Sequence, residues 1–153
     1  DSCASNGAFS NIYEKWGTGA FNRDFAKLKY NLVIIAYGTN DAMDPHFDEQ
    51  KFYQSIRGLI RSVRSASPGA KILLVAPPRS PKVPSAARAS AVLAKLARDE
   101  GTMFYDVAGL MNEDGGWSGW RSMGLVRPDE IHLQKAGYER IGAALAGQLR
   151  SKL

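Results

Sequence analysis

The sequence predicts an α/β layer sandwich built on a parallel sheet, and two observations carry that prediction. Short apolar runs at Leu32–Ala36, Ile72–Ala76 and Met103–Val107 have strand length, and the first two are continuously apolar, as parallel strands covered on both faces require. Between and after them lie segments with helical periodicity. Strand, helix, strand, helix, strand, helix is the pattern of a wound sheet with helices on its two faces.

Each element has a local reason. From Asp48 to Ala66, Phe52, Ile56, Leu59, Ile60 and Val63 fall on one helical face, and Pro68-Gly69 ends that helix before the second strand. Ser85 is expected to cap a helix running to about Glu100, with Val92, Leu93 and Leu96 inward and Gly101 as its stop. A last helix spans about Lys135 to Leu149, with Ile141, Leu145 and Leu149 on one stripe. The 153 residues suffice for one domain, residues 1–153, with one core. There is no internal repeat and no low-complexity tract.

Composition narrows the function classes. Hydrophobic residues make up 44% and charged residues 23%, as in ordinary globular proteins. No apolar run is long enough to cross a bilayer, and no signal segment is visible. The chain opens on Asp1 and not on Met, which leaves room for a leader or a larger N-terminal region. The net charge is +5, but the basic residues are scattered. Arg57, Arg61 and Arg64 share a helix face that reads as a solvated surface. No basic stripe with interleaved aromatics points to nucleic acid; attraction to an anionic polymer such as a cell wall stays open. Cys3 is the single cysteine, so an intramolecular disulfide and a cysteine-rich metal site are excluded, and it is a poor candidate for a nucleophile.

In wound sheets the chemistry collects beyond the C-terminal strand ends, so the segments to search are 37–44, 77–84 and 108–132. The first strand runs into Gly38-Thr39-Asn40-Asp41. Glycine permits a sharp exit, and the Asn40 amide is able to donate to a developing oxyanion. Taken alone, the tetrad reads better as a turn. Asp129-Glu130-Ile131-His132 precedes the last helix. If the loop curls, Asp129 can hold one ring nitrogen of His132 and leave the other to take a proton from a hydroxyl. The alternative is a helix-capping Asp129 beside a surface histidine. Near the N-terminus, Ser5-Asn6-Gly7-Ala8 offers a backbone N–H at Gly7 as a second oxyanion donor, or is simply a turn. His46, with Asp44 and Asp48 nearby, is read as a surface residue and not as a metal ligand. Trp117 and Trp120 lie in a Gly-rich loop, where lining a sugar cleft and covering the core are equal readings. Tyr37, at a strand end, is read as packing.

These motifs in this order resemble the SGNH, or GDSL-type, hydrolase family over nearly the whole chain. The family is named for an invariant Ser, Gly, Asn and His; Gly7 matches its glycine, Asn40 its asparagine, and His132 with Asp129 its last block. Ala36-Tyr37-Gly38-Thr39-Asn40-Asp41-Ala42, Ala76-Pro77-Pro78-Arg79 and the Trp117/Trp120 segment further resemble the branch containing bacterial peptidoglycan O-acetylesterases. The resemblance implies a flavodoxin-like α/β/α fold with sheet order 2-1-3-4-5. It implies a serine esterase for O-acyl, above all O-acetyl, esters of a carbohydrate, needing no metal or organic cofactor. An acetyltransferase and a non-catalytic carbohydrate-binding domain are the alternatives. The family's location implies a periplasmic or secreted bacterial protein.

One departure matters. No Gly-Asp-Ser occurs in the sequence. Ser2, after Asp1, stands five residues before Gly7, with no apolar run before it, where the family has a helix and a strand between these blocks. The expectation is therefore a C-terminal portion of the domain, lacking the first strand and most of the second. A preceding piece or separate chain would supply the serine, and this chain alone would be inactive. Without that piece, Leu32–Ala36 presents an apolar edge.

Overall fold

The protein is described by a computed structural model, which covers residues 7–15, 23 and 25–150. Among the described residues, three parallel strands form a sheet in the order β1 (Leu32–Ile35), β2 (Lys71–Val75) and β3 (Met103–Tyr105). The register pairs Leu32 with Lys71 and Ile35 with Leu74, then Leu73 with Met103 and Val75 with Tyr105. All three strands therefore end at the same edge of the sheet.

Helices with defined bounds among the described residues are α1 (Ile12–Lys15), α2 (Thr39–Met43), α3 (Glu49–Ala66), α4 (Ala86–Glu100), α5 (Val107–Glu113), α6 (Gly116–Ser122) and α7 (Lys135–Arg150). Strand periodicity assigns them to two layers. Successive side chains of β2 point to opposite faces. On one face Ile72 and Leu74 pack with Phe52, Ile56, Ile60 and Val63 of α3 and with Val92, Leu93 and Leu96 of α4. On the other, Leu73 and Val75 pack with Val107, Leu110 and Met111 of α5, Trp120 of α6 and the half-buried Ile141, Leu145 and Leu149 of α7. Full burial of each such aliphatic side chain contributes about 1.5–3 kcal/mol.

The helix ends follow their sequence signals in part. Asp48 caps α3 by accepting from the Lys51 N–H at 3.0 Å. Ser85 stands at the N-cap of α4 but makes no side-chain cap bond; its own N–H is turned instead to the Ala42 carbonyl, at 3.2 Å. At the other end of α4, Glu100 accepts from Arg57 Nε (2.6 Å) and Arg64 Nη1 (2.7 Å), which staples α3 to α4. These bonds, that to Arg57 first, hold the Glu100 carboxyl below its ordinary range.

Three sequence expectations are corrected. The strands are a residue or two shorter at their C-terminal ends: Asp106 leaves β3 to cap α5 by accepting from the Ala108 N–H. β1 is not covered on both faces, because Ile34 is 48% exposed. Among the described residues β1 pairs only with β2, so it lies at the margin of the sheet. Trp117 and Trp120 lie on helix α6 and not in a loop. Trp120 is fully buried, with Nε1 donating to Asp114 Oδ2 at 3.2 Å, and so belongs to the core. No helix of the described residues is long and apolar enough to cross a membrane.

Candidate active site

The exit from β1 builds the first half of the site. Gly38 takes φ 124°, a conformation that side-chain-bearing residues rarely adopt. A Cβ there would also stand 3.1 Å from the Phe52 ring and 3.5 Å from Pro77. This close passage turns the chain at once into α2, where Ala42 is completely buried and its N–H bonds the Gly38 carbonyl at 2.9 Å.

Asn40 and Asp41 sit in the first turn of α2, and both reach the segment after Gly7. Asn40 Nδ2 donates to the Ala8 carbonyl at 2.9 Å. The Asp41 carboxylate accepts from the Ser10 N–H at 3.1 and 3.2 Å and from Ser10 Oγ at 2.6 Å. Gly7, at φ 67°, immediately precedes this anchored stretch. The structure thus brings Asn40 and the Gly7 segment together, although they are far apart in sequence. Asp1 to Asn6, with Ser2, Cys3 and Ser5, lie outside the described residues.

The second half is a tight turn before α7. An antiparallel bridge joins Val126 to Leu133. Arg127 N–H bonds the His132 carbonyl and Gln134 N–H the Leu125 carbonyl, both at 2.8 Å, so residues 127–132 close on themselves. Asp129 organises that closure. Its Oδ1 accepts from the Ile131 N–H (2.9 Å) and the His132 N–H (2.8 Å), while Oδ2 lies 3.0 Å from His132 Nδ1. The loop therefore curls as the dyad requires. Asp129 caps the turn itself and not helix α7. The backbone N–H of His132 and then that of Ile131 are the largest influences on its carboxyl, which is pulled down to about 2 from an ordinary 3.8. The dyad is about half exposed, at 53% for His132 and 42% for Asp129.

The turn is tied to the sheet through Ser80, in the segment leaving β2, whose Oγ donates to the Glu130 carbonyl. Ser80, Asp41 and Ser10 were not singled out from the sequence. Their bonds span 50 and 31 residues and match no local motif; only the position of Asp41 beside Asn40 hinted at a role. Both halves lie beyond the C-terminal strand ends, where wound sheets place their ligands. Among the described residues no hydrogen bond links Asn40 or the Gly7 segment to His132.

Other candidates lie elsewhere. The His46 backbone N–H bonds Asp44 Oδ1 at 2.8 Å and the residue is exposed. No cluster of three metal-ligating side chains exists among the described residues. An open depression of about 630 Å³ is lined by Arg127, Leu133, Gln134, Lys135, Tyr138 and Glu139, and none of Gly7, Asn40, Asp129 and His132 lines it.

The profile of the GDSL-like lipase/acylhydrolase family matches residues 4–140, a span holding both halves of the site. The chain belongs to the GDSL-like lipase/acylhydrolase family. This GDSL-like chain is similar in structure to a peptidoglycan O-acetylesterase, with TM-score 0.85 and 28% identity over 95% of this chain and 44% of that one. It is also similar to an acetylxylan esterase from Geobacillus stearothermophilus (TM-score 0.69, 16% identity, 91% of this chain and 66% of that one). A GDSL-like lipase from Bacteroides thetaiotaomicron is similar too (TM-score 0.70, 18% identity, 96% and 73%). At 16% and 18% identity these two show the fold alone. The chain spans less than half the length of the peptidoglycan O-acetylesterase. None of the curated proteins matches it in sequence.

Proposed function

We propose that this chain carries the acid–base and oxyanion-binding part of a serine esterase acting on O-acetyl groups of a carbohydrate. The observation that carries the reading is the Asp129 carboxylate 3.0 Å from His132 Nδ1. A carboxylate there favours the tautomer protonated on Nδ1 and leaves Nε2 as the base.

In this reading a serine hydroxyl attacks the acetyl carbonyl carbon as His132 Nε2 takes its proton. The carbonyl electrons move onto oxygen, where the Gly7 N–H and the second Nδ2–H of Asn40 donate to them. An amide nitrogen carries two hydrogens, and the bond to Ala8 uses one. Collapse expels the sugar alkoxide, which takes the proton back from His132. Water, deprotonated in turn by His132, then releases acetate from the serine. Asp129 stays ionised throughout and orients the ring.

Two facts support taking the nucleophile from a preceding segment. The 153 residues contain no Gly-Asp-Ser, and they span 44% of the peptidoglycan O-acetylesterase. The acetyl and carbohydrate assignment draws on that relative and on the acetylxylan esterase. A periplasmic or secreted location would go with such a substrate.

The test uses p-nitrophenyl acetate and a serine-directed covalent inhibitor. The 153-residue chain alone is expected to give neither turnover nor adduct. The longer, serine-bearing protein should give both, and His132→Ala in it should abolish turnover while the fold survives. Near-normal activity in that variant sinks the assignment. An adduct on Ser2 would overturn the view that the nucleophile lies elsewhere.

A further inference from the structure

We propose that Ser80 is a positioning residue for the His132 imidazole, acting through the peptide unit between Glu130 and Ile131. The inference rests on the dyad reading above and adds a residue to it.

A peptide unit is planar, so the Glu130 carbonyl and the Ile131 N–H are rigidly coupled and point in opposite directions. Both ends of this unit are held. Ser80 Oγ donates to the Glu130 oxygen, and the Ile131 N–H donates to Asp129 Oδ1 at 2.9 Å. The hydroxyl is itself aimed, because the Lys82 N–H donates to Ser80 Oγ at 3.0 Å and occupies its acceptor side. Fixing the carbonyl therefore fixes one of the two N–H groups that hold Asp129 Oδ1, the other being that of His132, while the second carboxylate oxygen faces His132 Nδ1.

The unit needs such a clamp. Glu130 stands at φ 60°, one of two non-glycine residues with positive φ among those described. Such a conformation persists only where its surroundings over-determine it. Rotation of the peptide plane would let Glu130 leave it, at the loss of the Ile131–Asp129 bond. Arg121 Nη1, 2.9 Å from Glu130 Oε1, restrains the side chain but leaves the peptide plane free, so the carbonyl depends on Ser80. Ser80 follows β2, the central strand, and thereby refers the dyad's turn to the most buried part of the sheet.

The test reads the tautomer of His132 by long-range proton–nitrogen NMR on the 153-residue chain, in mildly alkaline buffer and without substrate. His46, the other histidine, is the internal control. In the unsubstituted chain His132 is expected mainly as the Nδ1–H form, whereas a free histidine ring favours Nε2–H. Ser80→Ala should move His132 toward Nε2–H and speed Ile131 amide exchange at least about tenfold, with His46 unchanged. Ser80→Thr, which keeps the hydroxyl, should restore both. The proposal is overturned if Ser80→Ala leaves tautomer and exchange as they were, if Ser80→Thr fails to restore them, or if Ser80→Ala unfolds the chain. The esterase reading fails separately: the tautomer moves as expected, yet His132→Ala in the longer protein stays active.

Discussion

In the proposed reading, Asn40 has two tasks for one amide. One Nδ2 hydrogen holds the Ala8 carbonyl at 2.9 Å; the other is assigned to the oxyanion. Asn40→Ala in the serine-bearing protein should lower kcat by about 10²–10³ and leave KM nearly unchanged, the usual cost of one oxyanion donor. A change confined to KM would remove that role. Because the same substitution frees the Gly7 segment, Asp41→Ala is the control. It removes three Ser10 contacts from that segment while leaving the Asn40 amide in place. A smaller fall in kcat there separates donation from anchoring. Asp129 gives a prediction in pH. Its folded carboxyl is lowered to about 2 from 3.8, so the bonds that hold it ionised stabilise the turn fully above the ordinary value. That stabilisation is lost as pH falls from there through about 2. Amide protection of Ile131 and His132 should hold down to mildly acidic pH and disappear across that window. Loss at a higher pH would mean the carboxylate is not held as the geometry indicates.

The seating of α7 decides whether these residues meet. Gly137, in its first turn, is buried against the bridge that closes the dyad's turn. A Cβ there would collide with the Leu125 carbonyl oxygen and stand 3.1 Å from Leu133 Cβ. Leu125 O already accepts from the Gln134 N–H at 2.8 Å, so the obstruction is backbone that cannot swing aside. Gly137→Ala should therefore destabilise the chain by about 1–3 kcal/mol, as overpacking does, measured by denaturant titration. Wild-type stability would mean that α7 sits further from the bridge. Elements with a clear period were legible in advance: α3, α4 and α7 lie where their apolar stripes put them, and β2 is as buried as its unbroken apolar run implies. Helix α6 was hidden because Gly115, Gly116 and Gly119 read as loop, while the burial of Trp120 overrides their weak propensity. In the site, the Asp129–His132 pair was legible because its bonds close within three residues. The contacts of Ser80 and Ser10 were not, because tertiary packing alone brings them to their partners.

At the scale of the molecule, the unusual feature is the outer side of β1. Leu32 and Val33 are half-buried and Ile34 is 48% exposed, although β1 is as apolar as the well-covered β2. Its backbone pairs only with β2 among the described residues, which leaves the far edge of an apolar strand without a described partner. Such edges template strand addition between chains unless a charge or a covering segment blocks them. The net charge of +5 opposes association between copies. The 153-residue chain studied alone is therefore expected to self-associate as its concentration rises, and Ile34→Lys should suppress this. Because Ile34 is already half in solvent, that substitution should change the melting temperature by only a few degrees, equivalent to roughly 1 kcal/mol or less. Sedimentation velocity over a concentration series reads the first effect and thermal denaturation the second. Equal association by both chains would show that the contact lies elsewhere. A large loss of stability in Ile34→Lys would mean that Ile34 is covered after all. If a preceding segment pairs on β1, as the proposed function implies, it would remove the edge, and Ile34→Lys should then lower stability and turnover together.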